Sequence, residues 1–413
     1  MKENAYIIIV DIDKKGSWSL NEKADEMREL VLSTGCNIQG EDVVRVKKVN
    51  PHCFIGKGKI EEIACEVKEL DSDVVIISED LSATQQQNIE DGLGVKIIDR
   101  TQLILDIFSR HARSSEGKLQ VELAQLNYLS PRLRGKGVML SRLGGGIGTR
   151  GPGEKKLEVD RRRIRRRIEY LNKDLGEVKK RRASLRKKRE RNEIPLIALI
   201  GYTNAGKTTL LNALTCSKQV SSNSMFTTLD PVSRVYVLPG KQKVLFADTV
   251  GFLNDLPHHL IDAFKATLEE IVEADLILHL LDISDPLSAK KRDSVYKVLD
   301  ELDVKDKNIL TVLNKIDSLS NLNREDLSLK YPDSILISAL NKDGLDSLIE
   351  RISEEFSSHE AYLSLFLPED KMGVLSFINQ DSIIDKKEMP GGVYIRARVS
   401  LLIRERIYQE LSR

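Results

Sequence analysis

Hydrophobic and polar residues alternate in short blocks over the first hundred positions, and these blocks predict strands and helices in turn. The predicted strands are Tyr6–Asp11, Val43–Val49, Val74–Ser78 and Val95–Ile98, and helical spacing covers 21–34, 60–70 and 79–91. Such β–α alternation is typical of a parallel sheet flanked by helices. The sequence therefore predicts a small parallel α/β domain over residues 1–100.

Two long helical patterns follow this domain. Near 101–129, leucines recur at three- and four-residue steps, and Pro131 is expected to end that helix. A second helix is predicted from Leu157 to Arg191, with a heptad seam at Leu157, Ile164, Leu171, Val178 and Leu185. The two helices predict a long antiparallel hairpin over 101–193, with a glycine-rich basic loop, 130–156, at its tip.

From Ile194 the strand–helix alternation returns and predicts a doubly wound α/β domain over 194–356. Its strands are predicted at 195–200, 235–238, 244–247, 276–282, 309–313 and 335–337. Residues 357–413 have the pattern of a small α+β domain, with two strands joined through Pro390-Gly-Gly392. The predicted fold class is thus a multidomain α/β protein.

A glycine-rich segment at the start of the third domain has the spacing of a phosphate-binding loop. Gly201-Tyr202-Thr203-Asn204-Ala205-Gly206-Lys207-Thr208 fits G-x-x-x-x-G-K-[ST], follows an apolar strand and opens a helix that continues with Thr209. The glycines let backbone N–H groups surround phosphates, while Lys207 adds a positive charge. The Thr208 hydroxyl is the predicted Mg²⁺ ligand.

Three more motifs follow in order, each after a predicted strand. Asp248-Thr-Val-Gly251 offers a carboxylate that binds Mg²⁺ through water and a glycine N–H that senses a γ-phosphate. Asn314-Lys315-Ile-Asp317 presents a carboxylate that can accept two hydrogen bonds from guanine, which adenine does not offer. Ser338-Ala339-Leu340 supplies backbone support for the base. The ordered set predicts a site for GTP and GDP.

These motifs together resemble the Ras-like translation-factor GTPases. The resemblance implies that Phe226-Thr227-Thr228-Leu-Asp-Pro231 is the first switch, in which Thr228 reaches Mg²⁺ in the GTP state. It also implies that Lys207, Thr228 and Gly251 are the catalytic residues. Phe252 stands where Ras-like proteins carry a glutamine that orients the attacking water. Phenylalanine cannot do this, so we expect slow intrinsic hydrolysis that an external factor accelerates.

Asn204 has two interpretations of equal weight. It matches an asparagine that, in several GTPases with a hydrophobic residue at the switch position of Phe252, helps to hold K⁺ beside the phosphates. It could equally cap or brace the loop.

The net charge of +1 conceals a strong imbalance along the chain. Residues 130–193 carry 23 Lys or Arg and 8 Asp or Glu, a net of +15, whereas the remaining residues carry a net of −14. A concentrated basic arm on an acidic body indicates a polyanionic partner. For the cluster 161–167, a solvated helix face is the alternative. The RNA-binding candidates are Arg132, Arg134, Lys136, Arg142, Arg150, Lys155 and Lys156.

Longer motifs resemble the HflX family of GTPases over about residues 1–356. They are Asn50-Pro51 with 54–59, Asp99-Arg-Thr101, 117–126, 141–154, 157–168 and Asp248–Phe252 with Leu256-Pro257. One departure is Lys155, where the family usually has threonine, which puts in doubt a hydroxyl contact at the loop base and adds positive charge.

This resemblance implies a GTP-hydrolysing protein that binds the large ribosomal subunit. Its hairpin tip would contact 23S rRNA near the peptidyl transferase centre, and the protein would split stalled or idle 70S ribosomes under stress. The alternative is a GTP-gated signalling switch that binds a protein partner, such as a membrane protease complex.

The rest of the chain limits where such a protein works. The longest early apolar run, Tyr6–Val10, is too short for a signal peptide or a membrane span, and the four cysteines show no Cys-x-x-Cys spacing. We expect a cytoplasmic monomer without a DNA partner, for which peripheral membrane association stays open. Gly56-Lys-Gly-Lys59 is either a simple turn or a weak anion- or ATP-binding loop.

Overall fold

The computed structural model describes most of the chain. The described residues are 3–12, 18–141, 152–191, 194–215, 225–226, 230, 232–239, 241–255, 257, 260, 265–304, 307–319, 324–357, 360–378 and 383–411. Their order is a parallel α/β unit, three helices, a second α/β unit and a small antiparallel unit. The predicted fold class is confirmed.

The first unit is a four-stranded parallel sheet with the strand order β2-β1-β3-β4. The central strand β1 is buried without interruption over Ala5–Val10, as expected for a parallel strand covered on both faces. Its elements are β1 (Asn4–Ile12), α1 (Leu20–Ser33), β2 (Asn37–Val46), α2 (Lys57–Glu69), β3 (Val74–Ile77), α3 (Ala83–Leu93) and β4 (Lys96–Ile98).

Three helices follow, α4 (Arg100–His111), α5 (Ser115–Ser141) and α6 (Pro152–Arg191). The prediction of one helix over 101–129 is wrong, because the backbone becomes extended at Ala112 and a new helix starts at Ser115. Pro131 lies inside α5 and does not end it. Proline removes one helical hydrogen bond there, but α5 packs on α3, α4 and α6, and this burial outweighs the loss.

Helices α5 and α6 form the predicted antiparallel hairpin. The Arg167 guanidinium donates to both carboxylate oxygens of Glu122 at 2.7 Å, and Arg182 pairs with Glu116 at 3.0 Å. Leu171 is fully buried on the seam, but Leu185 is 68% exposed, so its assignment to the seam is wrong. Glu116, the partner of Arg182, lies in the first turn of α5. The helices are antiparallel, so α5 has no residue that could cover the part of α6 after Arg182.

The second α/β unit has a six-stranded sheet with the order β10-β9-β8-β5-β7-β6, parallel except for β6. Its strands are β5 (Leu196–Gly201), β6 (Val232–Val237), β7 (Lys243–Asp248), β8 (Leu276–Asp282), β9 (Ile309–Asn314) and β10 (Ile335–Leu336). Its helices are α7 (Lys207–Thr215), α8 (Lys265–Val272), α9 (Ser288–Glu301), α10 (Arg324–Lys330) and α11 (Leu345–Ser357), with a short 3₁₀ helix at Ile316–Ser318.

The last unit is a three-stranded antiparallel sheet with the order β11-β13-β12. It contains β11 (Glu360–Pro368), a 3₁₀ helix (Glu369–Phe377), β12 (Ile383–Met389), β13 (Gly392–Ser400) and α12 (Leu401–Leu411). In the part of the chain that the structure describes, no helix is both long and apolar enough to span a membrane.

The first three parts share one hydrophobic core. A single cluster of buried side chains includes Ile9 of the first sheet, Phe108 of α4, and Tyr202, Phe226 and Phe252 around the second sheet. Trp18 stacks on Tyr202 with ring centroids 6.1 Å apart. The N-terminal sheet and the helices therefore pack directly against the predicted nucleotide loop.

Candidate nucleotide-binding site

The sheet topology brings the predicted motifs to one edge. Strands β5, β7, β9 and β10 are parallel, so the motifs that follow them all lie at their carboxyl ends. Strand β5 lies between β7 and β8, where the strand order reverses, and this is where open α/β sheets bind their ligands. Residues separated by more than a hundred positions are thus adjacent.

The loop 201–206 needs its glycines for steric reasons. Gly201 and Gly206 have φ angles of +155° and +92°. A Cβ on Gly201 would lie 2.4 Å from the Leu280 carbonyl oxygen, and one on Gly206 would lie 2.2 Å from Asn314 Nδ2. Asn204 adopts φ +61°, a conformation that asparagine tolerates better than most residues, and it is exposed. The backbone is therefore held in the wrapped conformation that a phosphate cradle requires.

Lys207 begins α7 and is buried beneath this loop. Its Nζ donates to the carbonyl oxygens of Gly201 and Tyr202, both at 3.0 Å. Burial lowers the pKa of Lys207 to about 8, and the nearby Asp248 opposes this effect. A cation with so little solvation gains strongly from an anionic ligand, because the ligand replaces water that the fold has removed.

Thr208 and Asp248 provide neighbouring oxygen atoms below the loop. The Thr208 hydroxyl donates to Asp248 Oδ2 at 2.7 Å, and both side chains are buried. Hydroxyl and carboxylate oxygens are the hard donors that Mg²⁺ prefers, and Mg²⁺ typically takes only one or two of its ligands from the protein beside a nucleotide. The residues fit a magnesium ion that would take its remaining ligands from water or phosphate.

The segment after β7 lies against the phosphate loop. A Cβ on Gly251 would lie 2.9 Å from Thr203 Cγ2 and 3.3 Å from Lys207 Nζ. Phe252 N donates to the Gly201 carbonyl at 3.1 Å, and its carbonyl accepts from Thr203 N at 2.9 Å. The Phe252 side chain is 2% exposed and belongs to the shared core.

On the other side of the loop, Asn314 connects three segments. Its Nδ2 donates to the Ala205 carbonyl at 2.8 Å, and its Oδ1 accepts from Ala339 N at 3.0 Å. Ser338 Oγ donates to Asp317 Oδ1 at 2.5 Å, which orients that carboxylate. Lys315 pairs with Asp282 at 2.8 Å, whereas Leu340 is 73% exposed. The predicted base-binding residues therefore lie together beside the phosphate loop.

Other predicted site residues divide into two groups. Phe226 is 2% exposed and packs edge-on against Phe108, with ring centroids 4.5 Å apart, and Thr209, beside Thr208 at the start of α7, is half-buried. Thr227 and Thr228, predicted in the first switch, lie outside the described residues.

Comparison with known proteins adds a decisive observation to this geometry. Three family models match the chain consecutively: GTP-binding GTPase N-terminal over residues 21–109, GTP-binding GTPase Middle Region over 111–189 and 50S ribosome-binding GTPase over 196–315. The GTPase HflX of Caldanaerobacter subterraneus subsp. tengcongensis is 44% identical over 411 residues, covering 98% of this chain and 93% of that protein. The chain belongs to the HflX family of GTPases. It binds and hydrolyses GTP.

A second HflX relative agrees with this assignment. The HflX GTPase of Escherichia coli is 39% identical over 389 residues, which cover 92% of this chain and 90% of that protein. Among solved structures, a GTP-binding protein from Sulfolobus solfataricus in complex with GDP is 27% identical, with a TM-score of 0.45 over 85% of this chain and 98% of that one.

The basic residues predicted to contact RNA differ in their environments in this HflX-family chain. Arg132 is only 16% exposed, and its guanidinium donates to the Leu81 carbonyl at 2.7 Å and to Asp99 Oδ2 at 2.9 Å. It also lies 3.4 Å from the centroid of the Tyr128 ring. Arg132 therefore joins α5 to the N-terminal unit, and its contact with RNA stays a prediction.

The remaining RNA candidates lie at or beyond the end of the described hairpin. Arg134 and Lys136 lie in α5 and Lys155 and Lys156 in α6, but their side chains are outside the described part of the structure. Arg142 and Arg150 belong to the undescribed segment 142–151.

A buried polar network beside the phosphate loop was not found from the sequence. The Tyr202 hydroxyl donates to a Glu26 carboxylate oxygen and accepts from Asn254 N at 2.8 Å. Arg100 donates to Glu26 at 2.6 Å, to the Asn254 carbonyl at 2.6 Å and to the Asp255 carbonyl at 2.8 Å. Burial raises the pKa of Tyr202 well above its ordinary value, so this hydroxyl keeps its proton.

Only one sequence signal pointed toward this network. Asp99-Arg-Thr101 is part of the family resemblance, but two of the Arg100 partners, the carbonyls of Asn254 and Asp255, are more than 150 positions away. The network joins the N-terminal unit to the phosphate loop and to the segment after Gly251.

Proposed function

We propose that this GTPase binds the large ribosomal subunit through its helical hairpin and splits stalled or idle ribosomes. The bound nucleotide would control when it does so. The observation that carries the proposal is the hairpin itself. Helix α6 has 40 residues, roughly 60 Å at 1.5 Å per residue, and it carries exposed arginines on both sides of Ile164, at Arg162, Arg163, Arg165 and Arg166. A long basic arm on a GTPase core suits a binding site inside structured RNA.

In the proposed nucleotide site, each group has a defined task. Lys207 contacts the outer phosphates, the glycine loop supplies backbone N–H donors, and Asp317 accepts hydrogen bonds from guanine. Thr208, Thr228 and Asp248 would hold Mg²⁺, the last through water. A bound Mg²⁺ would neutralise charge that develops on the phosphate oxygens.

Hydrolysis in the isolated protein is proposed to be slow. The position after Gly251 holds the buried Phe252, which cannot orient an attacking water. Gly251 N–H remains the group that senses the γ-phosphate. A ribosomal surface would then supply or complete the catalytic arrangement.

The enzymatic part is tested by steady-state GTP hydrolysis with and without purified large subunits, in K⁺ and in Na⁺ buffers. We expect strong stimulation by the subunits. A rate that rises in K⁺ alone would assign Asn204 to a K⁺ site, and equal rates would assign it to bracing the loop. A rate that large subunits leave unchanged would contradict ribosomal activation.

The binding part is tested by sedimentation with large subunits in the GTP state. We expect the double variant Arg142→Glu/Arg150→Glu to lose co-sedimentation, because charge reversal at the tip repels phosphates. The matched control, Lys386→Glu/Lys387→Glu, makes the same charge change on the exposed β12 strand and should still sediment. Unchanged sedimentation of the tip variant would favour the alternative, a switch that acts on a protein partner.

A further inference from the structure

Asp230, two residues after Thr228 in the sequence, contacts the base of the hairpin rather than the nucleotide loop. Its Oδ2 accepts hydrogen bonds from the backbone N–H groups of Arg113 at 2.8 Å and Ser114 at 2.6 Å. Its Oδ1 accepts from the Ser114 hydroxyl at 2.5 Å. Three bonds to one carboxylate make this a firm attachment, because hydrogen bonds to charged groups are the stronger ones.

The attachment is built into the start of α5. Ser114 is the residue before the helix, and its Oγ accepts from Gly117 N at 2.8 Å, as an N-capping serine does. Asp230 thus holds the residue that caps α5. It also brings negative charge to the helix N-terminus, where the helix dipole favours it.

Asp230 can approach the first turn of α5 this closely only because residue 117 is a glycine. A Cβ on Gly117 would lie 2.0 Å from Asp230 Oδ1, and Gly117 is buried. Glycine inside a helix costs roughly 1 kcal/mol relative to alanine. The first turn of α5 therefore contains an unfavourable residue at the point where the carboxylate needs room.

The segment before Thr228 is attached to the same body. Phe226 is buried against Phe108 of α4, and Met225 N donates to Ser33 Oγ of α1 at 3.2 Å. The described residues on both sides of 227–229 are therefore attached to the same body, Met225 and Phe226 through α1 and α4 and Asp230 through the start of α5.

The first turn of α5 is also attached to α6. Glu116 pairs with Arg182 of α6 at 3.0 Å, and both side chains are largely buried. Asp230 and Arg182 thus hold the same helical turn, one from the switch segment and one from the second arm of the hairpin. A displacement of Asp230 would act on both arms at their base.

We propose that Asp230 is a positioning residue that couples the nucleotide state of the switch segment to the helical hairpin. A nucleotide-dependent change in the switch segment would act on the bonds of Asp230 to Arg113 and Ser114, and through them on the first turn of α5. The coupling is reciprocal, so a ligand that holds the hairpin also biases the switch segment. This inference rests on the proposed nucleotide site, but it does not require that the hairpin's ligand be ribosomal.

The test is hydrogen exchange of the backbone amides in residues 113–118 of the full-length protein, with GDP and with a non-hydrolysable GTP analogue. In the wild type we expect the exchange rates to differ about fivefold or more between the two states, the lower end of typical coupling between linked sites. In Asp230→Asn the difference should shrink to less than about twofold, while GDP affinity is unchanged.

Two further variants keep the test independent of folding defects. Gly117→Ala should remove the nucleotide-dependent difference as Asp230→Asn does, although alanine favours the helix. In an Asp230→Ala background, Gly117→Ala should add nothing, because the clashing carboxylate is absent. The control is Asp275→Asn, which alters a similar carboxylate bond, to Leu196 N at 2.7 Å, at the opposite end of β5, and it should keep the wild-type difference.

The outcomes separate this inference from the proposed function. Equal exchange in both nucleotide states of the wild type, or a full difference retained in Asp230→Asn, would overturn the coupling. Failure of the wild type to bind guanine nucleotides would overturn the nucleotide site and the coupling together. A wild type that shows the exchange difference but does not sediment with large subunits would refute the ribosomal proposal and leave the coupling standing.

Discussion

Two lysine- and glycine-containing loops lead into helices in this protein, one in each parallel α/β unit, and they differ in what the fold requires of them. In the loop before α7, both glycines have positive φ, and a Cβ on either would collide with a neighbour at 2.4 Å or less. At the start of α2, a Cβ on Gly56, the N-cap, or on Gly58, in the first turn, would meet nothing within 4 Å. Glycine is required in the first loop and merely tolerated in the second.

The lysines of these loops differ in the same way. Lys207 is buried on backbone carbonyls, and burial lowers its pKa to about 8. Lys59 is 31% exposed and pairs with Asp42 at 2.7 Å and Glu62 at 3.0 Å, and its hydrogen bond to Asp42 raises its pKa. A lysine whose charge is already compensated by carboxylates has little to offer an anion. Of the two interpretations of Gly56–Lys59, the structure favours the simple turn.

The largest expected effect tests whether glycine is required before α7 but only tolerated at the start of α2. Gly206→Ala combines backbone strain with displacement of the Asn314 amide, together about 4 kcal/mol, so GTP affinity should fall by roughly 1000-fold. The matched variant Gly58→Ala should change GTP affinity by less than about twofold. Both are measured by titration with a fluorescent guanine nucleotide. Equal effects of the two substitutions would remove the distinction between the loops.

The second prediction concerns base recognition, which we assign only to the unit containing Asp317. Asp317→Asn should weaken GTP binding roughly 100-fold, because two hydrogen bonds to a charged acceptor are lost, and should improve binding of xanthosine triphosphate. Competition titrations with both nucleotides measure the change. Asp303→Asn, on a turn away from the site, is the control. If Asp317→Asn left GTP affinity unaltered, guanine would have to be recognised elsewhere.

The smallest effect is a proton taken up on binding. Because the pKa of Lys207 is lowered to about 8 in the protein, much of this group is neutral at pH 8.5, and an anionic ligand will raise the pKa and protonate it. Calorimetry of GDP binding at pH 8.5, in buffers of different ionisation enthalpy, should show uptake of between about half and one proton. Lys59→Met should show the same uptake, whereas no uptake in the wild type would mean that Lys207 is already charged.

The same lowered pKa predicts a small effect on the free energy of unfolding. Between about pH 8 and the ordinary lysine pKa, the unfolded chain binds more protons at this position than the folded one. Stability contributed by neutral Lys207 therefore rises with pH through this window and is absent below it. Denaturant titrations of the ligand-free protein at pH 7.5 and 9.5 measure this difference.

Local patterns in the sequence determined the sheets, the hairpin and the order of the nucleotide-site motifs. The buried parallel strands are short, uninterrupted apolar runs that are visible in the sequence. The 201–208 loop is contiguous, so its chemistry can be inferred without tertiary structure. The exposed position of Leu185 could not be inferred this way, because it depends on where the partner helix α5 begins. The continuation of α5 through Pro131 could not be inferred either, because packing on neighbouring helices stabilises it.

Contacts between distant segments were decided by the tertiary structure alone. Arg132 is a basic residue of the kind that binds RNA, but its guanidinium lies against Leu81, Asp99 and Tyr128. The bonds of Asp230 to Arg113 and Ser114 join positions more than a hundred residues apart. Sequence identifies which side chains can donate, accept or carry charge. Only the folded chain decides which partner each one meets, because that depends on how whole helices and sheets pack.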